Sequence, residues 1–348
     1  MKHTRTWRRL AAVTVALAAT VAVAPSAVAD EPAPEPTRAI ATLEPGAPAE
    51  APGTAAPEEP TVQAAAAVTA KPEDTWDFFR GLNTTRIGAG IEPAIRNGNL
   101  ASLADTWARQ QAANGTTLTD PTLVDKIPGS WSQGYQAIYT VYGTNPLDAA
   151  TYLAEDYAAD WVDAGLTDLG IAMYEGPGYS VYNRYTLYVI GVGYTHSTPR
   201  AGEMTLYRFY RPATGTHFYS TSAGERNSVI GNAAFRYEGQ VAYVLQPSVT
   251  TAGTSALNRF YQPSTGTHFY TSSKPEYDRV RTFPQYSLDG VAGKVYTTAG
   301  TGRVPMHRFY RPASGTHFYT ANAGEVETVK NLPGYTYEGV AFYLRTAS

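Results

Sequence analysis

The side chains able to do chemistry are concentrated in one recurring set. Three of the six histidines, His217, His268 and His317, occupy the same place in three copies of one stretch: Arg208-Phe209-Tyr210-Arg-Pro-Ala-Thr-Gly-Thr-His217-Phe218-Tyr219, Arg259 to Tyr270, and Arg308 to Tyr319. A glutamate follows each histidine at a fixed distance (Glu225, Glu276, Glu325), and an acid followed by glycine comes further on (Glu238, Asp289, Glu338). Imidazole, carboxylate, guanidinium and phenol at constant spacing admit three readings. They can form three shallow ligand sites, gather round a metal, or satisfy one another inside each folded unit.

The ligand reading uses His217, Tyr219 and Glu238, with His268, Tyr270 and Asp289, and with His317, Tyr319 and Glu338. Tyrosine faces stack on the apolar faces of sugars while the polar neighbours bond hydroxyls, and three weak sites gain through multivalency. The metal reading brings the three histidines onto a symmetry axis. The folding reading holds because every copy has the same fold, and repetition within one chain does not separate it from binding.

Positioning these residues is the task of a unit about 50 residues long, repeated three times, each copy burying its apolar face against its neighbours. Tyr207 to Arg211 and Thr216 to Thr221 read as short strands joined by a Pro-Ala-Thr-Gly hairpin turn. A short helix capped by Ser222 follows, then a closing strand from Tyr237. Closure of three such units into a pseudo-threefold ring would remove exposed sheet edges. The Arg-Phe-Tyr…Gly-Thr-His-Phe-Tyr core and Tyr337 to Phe342 resemble a family of aromatic-rich repeats on secreted bacterial and fungal proteins, which implies a targeting module.

Before the repeats the chain changes character twice. Residues 1–29 have a basic start (Lys2, Arg5, Arg8, Arg9), an apolar stretch and Ala27-Val28-Ala29, the three parts of a secretory signal. Removing those four cations moves the formal net charge from -3 to -7. Residues 30–73 are rich in Pro, Ala and Glu and read as a disordered spacer. With no cysteine there is no disulfide or thiolate metal site. The nearly neutral remainder has no basic run to attract nucleic acid and no apolar run of membrane length.

Residues 74–197 read as helices followed by strands, an α+β arrangement. Leu100, Leu103, Ala104, Trp107 and Ala108 form a helical stripe stopped at Asn114-Gly115. Asn145-Pro146 starts another helix, and Tyr185 to Tyr194 is a β-rich run. Leu82-Asn83-Thr-Thr-Arg86, Gly115 to Pro121, Ile127 to Trp131, Leu166 to Ala172 and Tyr185 to Ile190 together resemble the CAP superfamily of secreted proteins. That resemblance implies an α-β-α sandwich with a cleft of two His and two acids. Carried over, the cleft is degenerate: Thr119, Gln136, Glu155 and Asp156 stand at its positions, and no His occurs from Asp74 to Gly193.

The expectation is therefore a CAP-like α-β-α sandwich followed by a β-rich pseudo-threefold module, residues 198–348, with a short helix per repeat. The protein is expected to be secreted and to bind a cell-wall or environmental glycan, with no catalytic residue, metal or other cofactor. Two alternatives stand beside it. One is a polysaccharide hydrolase using carboxylates among Asp120, Asp125, Glu155, Asp156, Asp160 and Asp163; the other is a protein- or lipid-binding factor.

Overall fold

The computed structural model describes residues 33–45, 67–179 and 182–346. The secretory signal read over 1–29 lies outside the described residues, as does 46–66 of the expected spacer. Another part of that spacer is folded. Thr37–Leu43 forms strand β1, antiparallel to β4 (Trp131–Gly143) from Thr37↔Thr140 to Leu43↔Gly134. Ala39, Ala41 and Leu43 alternate inward, a period of two carried by small residues inside a biased composition.

β1 is the edge of a six-stranded sheet ordered β1-β4-β6-β5-β2, where β2 is Thr69–Ala70, β5 Asp168–Tyr179 and β6 Tyr182–Tyr194. The two-residue strand β3 (Ile95–Arg96) adds the single parallel pairing among the described residues, to β5. Helix α1 (Pro72–Gly88) starts on a proline with Glu73 and Asp74 in its first turn. Helix α2 (Gly98–Asn114) is capped by Asn97, whose side chain accepts from Asn99 and Leu100, and ends at Gly115 with φ 69°. Helix α3 (Pro146–Tyr157) is capped by Asn145. Phe78, Leu82 and Leu153 from α1 and α3 meet Tyr139 and Leu187, while Leu100 and Ala104 from α2 meet Ile138 and Ile190.

The buried Arg86 ties this unit together. The Arg86 guanidinium donates to the carbonyls of Glu92, Trp161, Asp163 and Leu166 at 2.7–3.0 Å. Asn83 exchanges hydrogen bonds with the Ala94 backbone.

The expected α+β class with a CAP-like sandwich is not the architecture of the chain. Among the described residues there are fifteen strands against six α-helices, and the strands form two sheets that are antiparallel apart from the β3–β5 pair. The protein is β-rich, its helices covering parts of sheets whose long strands carry the fold. The four positions of the expected cleft also fail to converge, as described below.

The second sheet holds three units of one plan. β7 (Glu203–Arg211), β8 (Thr216–Ser220), helix α4 (Ala223–Ile230) and β9 (Arg236–Leu245) make the first. β10 (Thr254–Gln262), β11 (Thr267–Thr271), α5 (Lys274–Val280) and β12 (Ser287–Tyr296) make the second. β13 (Val304–Arg311), β14 (Thr316–Thr320), α6 (Ala323–Lys330) and β15 (Thr336–Thr346) make the third. Each hairpin turns at a glycine of φ 65–66° (Gly215, Gly266, Gly315), and each helix is capped by Ser222, Ser273 or Asn322.

The three units close into a ring. Strand ends of β9, β12 and β15 meet pairwise at Lys294↔Leu245, Tyr296↔Tyr343 and Arg345↔Tyr243. On the axis the Tyr219 hydroxyl donates to the Tyr319 carbonyl (2.6 Å), Tyr270 to Tyr219 (2.6 Å) and Tyr319 to Tyr270 (2.9 Å). The three rings pack edge-on with centroids 5.7–5.8 Å apart. Tyr219 also accepts from the Tyr319 backbone N–H at 3.1 Å. Replacing Tyr219 by Phe therefore strands two buried backbone groups and should cost about 1–3 kcal/mol in urea unfolding. Tyr210→Phe, in a half-exposed ring, should change stability by less than about 0.5 kcal/mol.

Candidate functional site

Each repeat projects one arginine between two carboxylates. Arg208 gives Nε to Glu238 of its own unit (2.6 Å) and both Nη atoms to Glu325 of the third unit (2.7 and 2.8 Å). Arg308 does the same with Glu338 (2.6 Å) and with Glu276 of the second unit (2.9 Å twice). Arg259 pairs with Asp289 (2.6 Å) and with Glu225 of the first unit (2.8 and 3.3 Å). The three inter-unit forks run once round the ring. Burial opposes ionisation of Glu325, yet the Arg208 fork holds its carboxyl below the usual range. Glu238 is pushed up by burial although it accepts from Arg208, so the helix glutamate of the adjacent unit is the stronger anionic partner.

The histidines lie at the seams. His217 packs on Phe318 of the third unit, His268 on Phe218 of the first and His317 on Phe269 of the second, with centroids 4.7–5.3 Å apart. Each Nε2 sits 3.3–3.5 Å from the acid of its own unit. Burial and then Arg208 bring His217 down to about 3, and burial and then Arg308 bring His317 down to about 4. His268 is lowered by burial and Arg259. All three are neutral rings at neutral pH. They do not meet on the axis, which the tyrosines fill, and among the described residues no cluster of three His, Asp or Glu is arranged to hold a metal.

This geometry corrects the expected ligand set. Tyr219, Tyr270 and Tyr319 are 2–3% exposed and belong to the axial core. Period-two alternation does place Tyr219 on the face of His217, but that face looks inward. Glu238, Asp289 and Glu338 are partly exposed and committed to arginines. Among the partly exposed aromatic groups are Tyr210, Tyr261 and Tyr310, whose rings lie tilted against those of His217, His268 and His317 at 4.9–5.1 Å. Their neighbours Arg211, Gln262 and Arg311 reach across to the next hairpin. The Arg311 Nη1 donates to the Thr214 carbonyl (3.1 Å), Arg211 Nη1 stands 3.1 Å from where a Cβ on Gly266 would lie, and Gln262 approaches Gly315. These residues stood in the repeated motif; the signal for them was the cross-strand register Tyr210↔His217 fixed by the hairpin.

The expected cleft residues split into two pairs on opposite sides of the sheet. Thr119 lines a cavity of about 450 Å³ beside the end of α2, with Trp107, Gln111, Asn114, Leu118 and Pro121. Gln136 is buried, its amide bonded both ways to the Asp120 backbone (2.8 Å each) and accepting from Tyr188. Glu155 and Asp156 are exposed on α3, which packs on the sheet face opposite α2. Asp120 is tied to Lys126, Asp160 to Arg38 and Asp163 to Gln133, while Asp125 is exposed.

Residues 205–345, the three repeats, match the model of a family described as a domain of unknown function (DUF5648). No curated protein and no solved structure matches the chain.

The histidines give a pH dependence of definite sign. An unfolded chain protonates them near about 6.5, whereas the folded seam refuses the proton until far lower pH. Their stabilisation is full above that value and falls as pH drops toward about 4. Glu225, Glu276 and Glu325, held low by arginine forks against the opposing effect of burial, act in the same direction. His196, raised by its hydrogen bond to Asp168, acts oppositely and loses its contribution above about 6.5. Urea unfolding at pH 7 and pH 4.5 should show the parent losing more stability than the His217→Gln/His268→Gln/His317→Gln variant, by more than about 1 kcal/mol.

Proposed function

We propose that the protein is an exported, non-catalytic binding protein whose repeat ring holds a cell-wall or environmental polysaccharide. The observation that carries this reading is the threefold set of partly exposed Tyr210, Tyr261 and Tyr310 rings, each tilted against the largely buried imidazole of His217, His268 or His317. Each offers a phenol face to a sugar ring, with Arg211, Gln262 or Arg311 next in sequence to bond hydroxyls. The imidazoles are uncharged at neutral pH, which suits an uncharged polymer. Three equivalent contacts on a closed ring add avidity when the ligand is itself a repeat. The export signal and the Pro/Ala/Glu-rich stretch support a role outside the cell.

The chain lacking residues 1–29 should be retained on at least one of insoluble peptidoglycan, chitin and cellulose. The Tyr210→Ala/Tyr261→Ala/Tyr310→Ala variant should be retained about tenfold less, as expected for truncating aromatic anchors. No retention on any polymer, or equal retention of parent and variant, contradicts the reading.

A further inference from the structure

The three units are alike in plan but not in what covers them. In the first, the outer edge of β9 lies beneath the preceding unit: Ile95 rests on Gly239, where an added Cβ would come within 3.1 Å of the isoleucine side chain. Ile87 packs into the Phe209 cluster, and Arg226 pairs with Glu92. In the second and third units the equivalent glycines, Gly290 and Gly339, have open space at that point. Tyr237 is 6% exposed, but its counterparts Leu288 and Tyr337 are 51% and 41% exposed. Val291 and Val340 beside them are 49% and 41% exposed. Large apolar side chains flanking an open glycine on an unpaired strand edge make a face that, in the first unit, is a buried interface.

The polar part of that interface is not repeated residue for residue: Tyr277 and Val326 stand where the first unit has Arg226, and Arg281 and Lys330 stand where it has the buried Ile230. In the first unit Arg226 lies over the Tyr207 ring, 4.7 Å from its centroid, and receives the carboxylate of Glu92. In the third unit Lys330 lies 5.0 Å from the centroid of the exposed Tyr337 ring. In the second, Arg281 lies over Tyr277, the residue standing where the first unit has Arg226. A cation thus lies near an aromatic ring in each unit, at positions that differ from unit to unit.

We propose that the outer edges of β12 and β15 are docking faces for an extended segment of a partner protein, one presenting an isoleucine-type side chain to the open glycine and a carboxylate to Arg281 or Lys330. The occupant's chemistry follows from Ile95 and Glu92 of the segment Ile91-Glu92-Pro-Ala-Ile95, which together with Ile87 and Glu73 of α1 cover the matching face of the first unit within the same chain. This proposal is independent of polysaccharide binding, which uses the Tyr–His stacks and not these edges.

The probe is a synthetic peptide reproducing residues 90–97, Gly-Ile-Glu-Pro-Ala-Ile-Arg-Asn, titrated to millimolar concentration into the isotope-labelled chain lacking residues 1–29. The expected result is saturable shift changes confined to Leu288, Val291, Tyr337, Val340 and their neighbours. Affinity should be at least about tenfold weaker for a Leu288→Ser/Val340→Ser variant whose thermal unfolding matches the parent. A peptide with Glu92 replaced by Gln should bind more weakly, and more so at low salt. No shift at millimolar peptide, or equal shifts in parent and variant, overturns the proposal. Concentration-dependent self-association of the unlabelled chain that the double variant abolishes would assign the faces to a second copy, and so overturns it as well.

Discussion

The closed relay of three tyrosine hydroxyls is the constraint on which the second half of the molecule depends. A hydroxyl of one unit satisfies a backbone carbonyl of another, and the last returns to the first. Such a circuit leaves no buried polar group unpaired only when all three units are present, so no unit is complete alone. The Arg–Glu forks surround this axis with a second circuit of the same threefold order, each linking a strand of one unit to the helix of another. Charged groups half-withdrawn from water are tolerated there because each has a geometrically matched partner. Residues that look chemical in sequence are thereby bound up in closure.

What the ring does with its remaining surface follows from this division. Inward faces are spent on the tyrosine axis and the imidazole–phenyl seams, leaving the hairpin end and the outer strand edges. The hairpin end repeats three times with a half-exposed phenol in each unit. The outer edges break the symmetry, because one of them is consumed by the preceding unit through Ile95, Glu92 and Glu73. Trp76 is held at this junction between the guanidinium groups of Arg96 and Arg236, 5.0 and 5.3 Å from its ring.

Local features were legible in the sequence. The Pro-to-Gly turn of each hairpin, the Ser222 cap, the Asn114-Gly115 stop of the α2 stripe and the Asn145-Pro146 start of α3 are decided within a few residues of chain. Non-local features were not. Tyr219 and His217 share a strand face whatever the fold, but whether that face meets solvent or an axis depends on two other units, 51 and 100 residues away. Gln136 read as a remnant of an open cleft because its partner, the Asp120 backbone, comes from a different part of the chain. Strand β1 was hidden because its inward residues are mostly alanines, whose alternation is weak against a Pro/Ala background. The β-rich class was missed for a related reason: the Tyr185 to Tyr194 run marked β6, but helix stripes and caps are conspicuous, whereas the long strand β4 is defined by its pairing with β1 and β6.

Closure is tested most directly by a double-mutant cycle between Arg208 and Glu325, 117 residues apart and on the first and third units. Stability of the parent, Arg208→Ala, Glu325→Ala and the double variant would be measured by urea unfolding at low salt. A closed ring predicts a coupling energy of about 1–3 kcal/mol for the bidentate, partly buried pair. Additivity within about 0.3 kcal/mol would mean that the first and third units do not meet, and would contradict the ring.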